Sequence, residues 1–328
     1  MQDKKIRAAL VYKKSYNFFQ PDHFDQTTMD FFMKALKRNT RLQISYFPCE
    51  NEFDVKKLEG KYDVILLVNN RFDATPEILR GIRDSTIPVI TKTGDPDFAK
   101  KYNQIELHEK FKIDAYWALA SKEYFYKYYP KKFKYKEILW GLEPSKYQNL
   151  KLFNNRIKNK ILNSGQVGRH ALKSKIAHFF FKNINSSWSY YKLRTLCNKL
   201  SYVDYAGMKN NAYVNQDYAE YLSKYCAAIA AGTFYPSIKF LEIPAAGCLT
   251  FMEITEKNHA QYLGFKNNES CIFINEKNYQ NKFEEYLNDT ENKKWEEIAK
   301  AGRDYVLNEV NNDKAVESLI ELIEEFIK

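Results

Sequence analysis

The chain has 328 residues, of which 45% are apolar and 28% charged; this is a globular composition with length for two domains, and it excludes a disordered chain. Its 51 Lys and Arg against 41 Asp and Glu give +10, a balance that points to an anionic partner such as a phosphorylated ligand, a nucleic acid or an acidic membrane face. Apolar runs such as Val64–Val68 are far shorter than the roughly 18–20 residues of a membrane span, the Met1–Lys5 start leads into no signal-peptide core, and five scattered cysteines without a CxxC pair read as reduced, buried thiols of a cytoplasmic protein.

In chain order, Ile6–Tyr12 reads as a first strand. Phe24, Thr28, Phe31, Phe32 and Leu36 then share one helical face. Gln43–Cys49 and the continuous apolar run Tyr62–Val68 are strands, the second of the kind covered on both faces. Thr75-Pro76-Glu77 predicts a helix start, with Thr as cap and Pro in the first turn. Ile87–Thr91, Asp114–Ala120 and Lys136–Trp140 continue as strands four to six, so the first 150 residues predict a parallel, doubly wound sheet. A polar stretch from Tyr147 to Lys158 reads as a linker, after which the pattern restarts at Ile161 and Leu162. Ser201–Tyr205, Cys226–Ala230, Cys248–Met252 and Cys271–Ile274 are the later strands. Val316, Leu319, Ile320, Ile323 and Phe326 follow helical spacing, so the chain ends in an amphipathic helix.

The most informative block is Phe234 to Thr250, FYPSIKFLEIPAAGCLT, which reads as loop, helix, Gly stop and strand. Ser237 is the expected N-cap, and the free N–H groups of that helix would face a diphosphate. Lys239, on the same helix, is a further candidate for phosphate contact. Glu242 stands about one and a half turns further in, where a carboxylate accepts both hydroxyls of a ribose.

This block, with the Tyr218–Ser223 stretch before it and Trp295–Arg303 after it, resembles the donor-binding domain of GT-B glycosyltransferases, in particular the group-1-like family. The resemblance covers roughly residues 160–328, and the first half only as a topology. It implies a GT-B fold, two doubly wound Rossmann-like α/β domains facing across a cleft: residues 1–150 on the acceptor side, residues 151–312 binding the nucleotide-sugar, and residues 313–328 as a helix packing back on the first domain. Many relatives carry two glutamates eight positions apart. Here the earlier position is Phe234, and only Glu242 is kept.

The resemblance also directs attention to Ser164-Gly165-Gln166-Val167-Gly168-Arg169. Relatives place a Gly turn there, with an Arg and a Lys reaching the donor diphosphate. It implies Gly165 at the turn, Arg169 on phosphate, and either Lys173 or Lys175 as the second cation. Two cations would stabilise the charge on the leaving nucleotide diphosphate without a metal or other cofactor. For activation of the acceptor hydroxyl the expected residues are Asp95, which ends strand four in Thr93-Gly94-Asp95-Pro96, and His108, because retaining relatives keep a His in that region. Asp95-Pro96-Asp97 is the one Asp-x-Asp match and reads as a turn rather than a metal clamp.

The charge is unevenly placed. Residues 151–200 hold 11 Lys and Arg and no Asp or Glu, whereas residues 281–328 hold 13 acidic and 7 basic side chains. Aromatic-rich basic stretches at Lys122–Lys136 and Lys173–Lys199 suggest a surface for a glycan, a lipid-linked or another polyanionic acceptor, with peripheral contact at the inner face of a membrane, or for a single nucleic-acid strand held by stacking and charge. The expected activity is therefore transfer of a sugar from a nucleotide-diphosphate sugar to an acceptor hydroxyl. The alternatives are a nucleic-acid-binding or DNA-modifying GT-B protein and a GT-B nucleotide-sugar epimerase.

Overall fold

The computed structural model describes residues 5–16, 28–168, 187–207 and 216–327. The chain divides into two compact units: Met1–Glu143 together with Asn311–Lys328, and Pro144–Val310.

The first unit is built on six parallel strands, β1 (Ile6–Lys13), β2 (Leu42–Cys49), β4 (Val64–Leu67), β6 (Val89–Lys92), β7 (Ile113–Ala118) and β8 (Lys134–Glu137), in the order β2-β1-β4-β6-β7-β8. Alternate residues feed opposite faces, as strand geometry requires. Ala8, Leu10, Val64 and Leu66 enter one apolar layer, and Ala9, Val11, Ile65 and Leu67 enter the other. Covering on both faces is why β4 is apolar at every position.

The helix expected from Thr75 does not form. Thr75 Oγ1 instead donates to the Asn69 carbonyl at 2.5 Å and closes the turn after β4. Ile78–Arg80 is a short strand, β5, paired in parallel with β3 (Glu52–Asp54), with Phe53 and Leu79 buried and Arg80 ion-paired to Glu52. β8 also begins earlier than Lys136, because Tyr135 is a core residue. The Lys122–Lys136 stretch is no aromatic surface: Tyr124, Phe125, Tyr129, Phe133 and Tyr135 are buried, while Lys127, Lys131 and Lys132 point outward.

Helix α1 (Thr28–Arg38) packs on one face beside the C-terminal helix Asn312–Glu324. Asn311 caps the latter by accepting from the Asp313 and Lys314 N–H groups, and Asn312 Oδ1 accepts from the Gly141 N–H at 2.6 Å. Val316, Leu319, Ile320 and Ile323 are buried against Phe32, Met33 and Leu36. The acidic outer face meets Arg38, Arg41 and Lys136 through Asp313, Glu317, Glu324 and Glu321. Exposed pairs contribute about 0–1 kcal/mol each, against about 1.5–3 kcal/mol for each buried aliphatic side chain, so burial holds this helix. No described helix is long and apolar enough to cross a membrane.

The second unit has five parallel strands, β9 (Ile157–Ser164), β10 (Val203–Ala206), β11 (Tyr225–Ala230), β12 (Leu249–Glu253) and β13 (Ile272–Ile274), ordered β10-β9-β11-β12-β13. β9 starts at Ile157, so the end of the expected linker is strand. Counted along the chain, both sheets have the order 2-1-3-4-5, with a sixth strand added in the first. In such sheets the strand order reverses beside the first strand, and ligands sit outside the carboxyl ends there.

Candidate active site

In the second unit the reversal lies between β9 and β11. β9 ends at Ser164, and Gly165 comes next with φ +94°, a conformation that side chains with a Cβ rarely adopt. Space imposes the same choice, because a Cβ here would lie 2.7 Å from an Arg194 guanidinium nitrogen and 2.9 Å from Lys239 Cε. Gly165 is therefore the point over which two cations converge.

Arg194 lies on the helix α2 (Lys192–Cys197) that precedes β10, and is 3% exposed. Its Nε donates to Asn163 Oδ1 at 3.3 Å and its terminal nitrogen to the Ser164 carbonyl. Among the described residues no carboxylate pairs with it. Burial pushes its pKa down, and Tyr218 and Tyr191 oppose that shift.

Lys239 opens the helix α3 (Lys239–Ala245) after β11. Its Nζ donates to Tyr218 OH at 2.8 Å and to Ser164 Oγ at 3.4 Å, and stands 4.5 Å from the Tyr218 ring centre. The ammonium lies deep among protein atoms although part of the side chain still meets solvent. Burial lowers its pKa to about 8, Glu242 raises it and Arg194 lowers it. Glu242, half-buried one turn along, has its carboxyl pushed up by burial and held down by Lys239, and it also faces Tyr147 and Tyr218.

Ser237 does not cap this helix. The N-cap position falls on Ile238 with no side-chain hydrogen bond, and the first turn closes through the Ser237 and Ile238 carbonyls. With seven residues and Pro244 inside, α3 offers its side chains to the site rather than a helix terminus. Arg169, Lys173 and Lys175 lie outside the described residues.

In the first unit Asp95 stands exposed just past β6, with φ −63° and ψ 120°, and leads the turn Pro96–Phe98 without capping it. Asp97 is buried, so the two carboxylates of Asp95-Pro96-Asp97 occupy different surroundings. His108 lies elsewhere. It sits in the short helix Glu106–Lys110 ahead of β7, its ring is stacked 3.6 Å from Phe133, and its Nδ1 is 3.1 Å from Tyr116 OH. This is the amino-terminal end of β7 and β8, opposite the edge where acceptor chemistry is expected. His108 is thus a packing residue, with its pKa lowered by burial. Among the described residues no three His, Cys, Asp or Glu side chains are grouped to hold a metal.

Arg194 does not stand out in the sequence, where it is one of the 11 cations of residues 151–200. The available signal is its place between Leu193 and Cys197, on the apolar side of a short helix, where a cation needs a reason to be buried.

Two parallel sheets of this order, the second with a cationic centre at its reversal, define a GT-B fold. Residues 169–321 match the family model described as "Glycosyl transferase-like", and the chain is a glycosyltransferase. No curated protein matches the sequence. Among solved structures, HepE from Anabaena in complex with UDP-glucose aligns with a TM-score of 0.56 at 11% identity, covering 98% of this chain and 100% of that one. A glycosyltransferase from Rickettsia africae aligns with 0.58 at 12% identity, covering 99% of both chains. Sucrose-phosphate synthase from Thermosynechococcus elongatus aligns with 0.58 at 10% identity, covering 98% of this chain and 99% of that one. Identities this low speak to the fold.

Proposed function

We propose that the protein transfers a sugar from a nucleotide-diphosphate sugar to an acceptor hydroxyl, and that Arg194 and Lys239 hold the diphosphate over Gly165. The observation that carries this reading is the convergence of two buried cations on one glycine, with Glu242 as the carboxylate beside them. An Arg without a carboxylate partner is costly to bury, and an anionic ligand removes that cost. The nucleotide diphosphate gains negative charge as it leaves, so fixed cations stabilise the transition state more than the ground state. The Arg fork would take two phosphate oxygens and the ammonium a third. Glu242 would accept the ribose hydroxyls. Asp95, at the carboxyl edge of the first sheet, is the group we assign to the acceptor hydroxyl; His108 is not.

The likeness to HepE, solved with UDP-glucose, supports uridine nucleotides as the first probes. The test is a thermal-shift screen of UDP and a panel of nucleotide-sugars, followed by a hydrolysis assay on each hit. A saturating ligand at one hundred times its Kd should add about 2.7 kcal/mol of stability. If no nucleoside diphosphate and no nucleotide-sugar raises Tm, the reading fails. Binding to a nucleic acid that weakens steeply with salt would favour the DNA-related alternative.

A further inference from the structure

Three buried polar side chains of the first unit stand at the carboxyl edge of its sheet or beside Gly94 there. Asn69, Thr93 and Gln104 are 4%, 1% and 1% exposed, and Asn69 Oδ1, Thr93 Oγ1 and Gln104 Nε2 are each buried without a hydrogen-bond partner among the described residues. A Cβ on Gly94 would stand 3.1 Å from Gln104 Nε2 and 3.5 Å from Asn69 Oδ1, and Thr93 is the residue before it. The cluster lies at the carboxyl edge of the sheet: Asn69 comes after β4 and Thr93 after β6, with β4 next to β1 where the strand order reverses.

Its framework is fixed by hydrogen bonds. The Gly94 N–H donates to Asn70 Oδ1 at 3.1 Å, Asn70 Nδ2 donates to Tyr129 OH at 2.8 Å, and Tyr129 OH donates to Gln104 Oε1 at 2.6 Å. That chain orients the Gln104 amide, which leaves Nε2 as the end turned to Gly94. Beside it Lys92, 8% exposed, donates from Nζ to the Thr93 carbonyl at 3.0 Å and lies over the Trp140 ring. One hydrogen bond uses one of its three donors. Arg71 crosses above, with Cδ 3.2 Å from the same point over Gly94 and its guanidinium tied to Asp73 at the surface. Arg71 is the cover that a ligand would displace.

An acceptor, a donor and a hydroxyl that serves as both match neighbouring sugar hydroxyls, each of which donates one bond and accepts another. Orphaned buried polar atoms are uncommon, and two beside one glycine with a third on the residue before it call for a partner. We infer that Asn69, Thr93 and Gln104 bind a sugar ring of the acceptor, so that the acceptor is a glycan. This rests on the glycosyl-transfer reading above and names the substrate class it leaves open.

The test is saturation-transfer NMR of the full chain with methyl α-glycosides of glucose, galactose, mannose and N-acetylglucosamine, repeated with Thr93→Val and Gln104→Met. Thr93→Val keeps the shape and removes a hydroxyl that no group among the described residues bonds, so a residue that only packs would tolerate it with Tm unchanged or raised. The expected result is binding of at least one glycoside to the wild type and about tenfold weaker binding to each folded variant. Should Gln104→Met fail to fold, Thr93→Val alone decides. The inference is overturned if no glycoside binds the wild type, or if affinity is the same in folded Thr93→Val. UDP titrated into the same wild-type samples separates the two readings: UDP binding without glycoside binding sinks this one, and glycoside binding without UDP binding sinks the donor assignment.

Discussion

Lys239→Met is the most direct perturbation of the cationic centre. The methionine keeps the unbranched stem, which packs beside Tyr218, and removes the charge. Nζ already donates to Tyr218 OH and Ser164 Oγ, so one donor is left for a phosphate oxygen. One hydrogen bond between charged groups is worth about 1.5–3 kcal/mol, which converts to roughly a 10- to 150-fold weaker Kd for UDP. The pH dependence gives an independent check. Lys239 loses its proton as pH rises through about 8, since burial has lowered its pKa from the ordinary 10.5. The charged form binds the anion, so affinity should be level below that pH and fall by up to about tenfold per unit above it. Lys92 titrates in the same range but belongs to the other unit. The variant should therefore lose the break as well as the affinity. Isothermal calorimetry from pH 7 to 9.5 measures both. Unchanged affinity in a folded Lys239→Met protein, or a break near pH 8 that survives the substitution, would refute the assignment of Lys239 to the diphosphate.

Three more outcomes are expected from the same geometry. Glu242→Ala should weaken UDP binding by roughly 1–3 kcal/mol, and the loss should shrink for a ligand lacking the ribose hydroxyls, as calorimetry with 2′,3′-dideoxy-UDP would show. Asp95→Asn should lower the transfer rate by about 10²-fold or more while leaving the Kd for UDP unchanged, measured by single-turnover kinetics beside a binding titration. Ile320→Ala, in the helix that closes on α1, should cost about 2–5 kcal/mol in urea unfolding, whereas Arg41→Ala on its exposed rim should cost under about 1 kcal/mol.

The parts of the fold legible in the sequence are those where local pattern and tertiary packing agree. β4 is apolar throughout because both of its faces are covered, and Val316, Ile320 and Ile323 keep helical spacing because one face meets the sheet layer. The segments that mislead are those where a local signal is outweighed. Thr75-Pro76 has the chemistry of a helix start, yet Thr75 spends its hydroxyl on the Asn69 carbonyl, and Leu79 gains more from pairing beside Phe53 than from a surface helix. Ser237 likewise has the chemistry of a cap, but the α3 backbone closes one residue later and through carbonyls. His108 shows the limit of position in sequence as a guide. It lies between the fourth and fifth strands of the sheet, where a cleft residue could stand, and only the stack on Phe133 reveals that this part of the chain has already returned to the amino-terminal edge.

Arg194 explains why the basic surplus of the second unit carries a signal that its spacing does not. A motif reading asks which cation lies at the expected distance from a glycine turn, and so looks only at the residues just beyond Gly165 in the chain. The structure brings Arg194 to that glycine from 29 positions away, by packing α2 against the end of β9. What makes the residue functional in kind is the combination of burial, an amide and a carbonyl as its ligands, and no carboxylate among the described residues. Those are properties of a neighbourhood, and a single sequence does not contain them. Lys239, by contrast, stands out in the sequence by its place on the helix of the Phe234–Thr250 block, and the structure adds that Tyr218 and Ser164 orient it. A protein that needed these cations only for solubility would leave them in water. Here the fold withdraws both from solvent at the one strand edge where α/β sheets take their ligands, and the charge left there is the opposite of a diphosphate's.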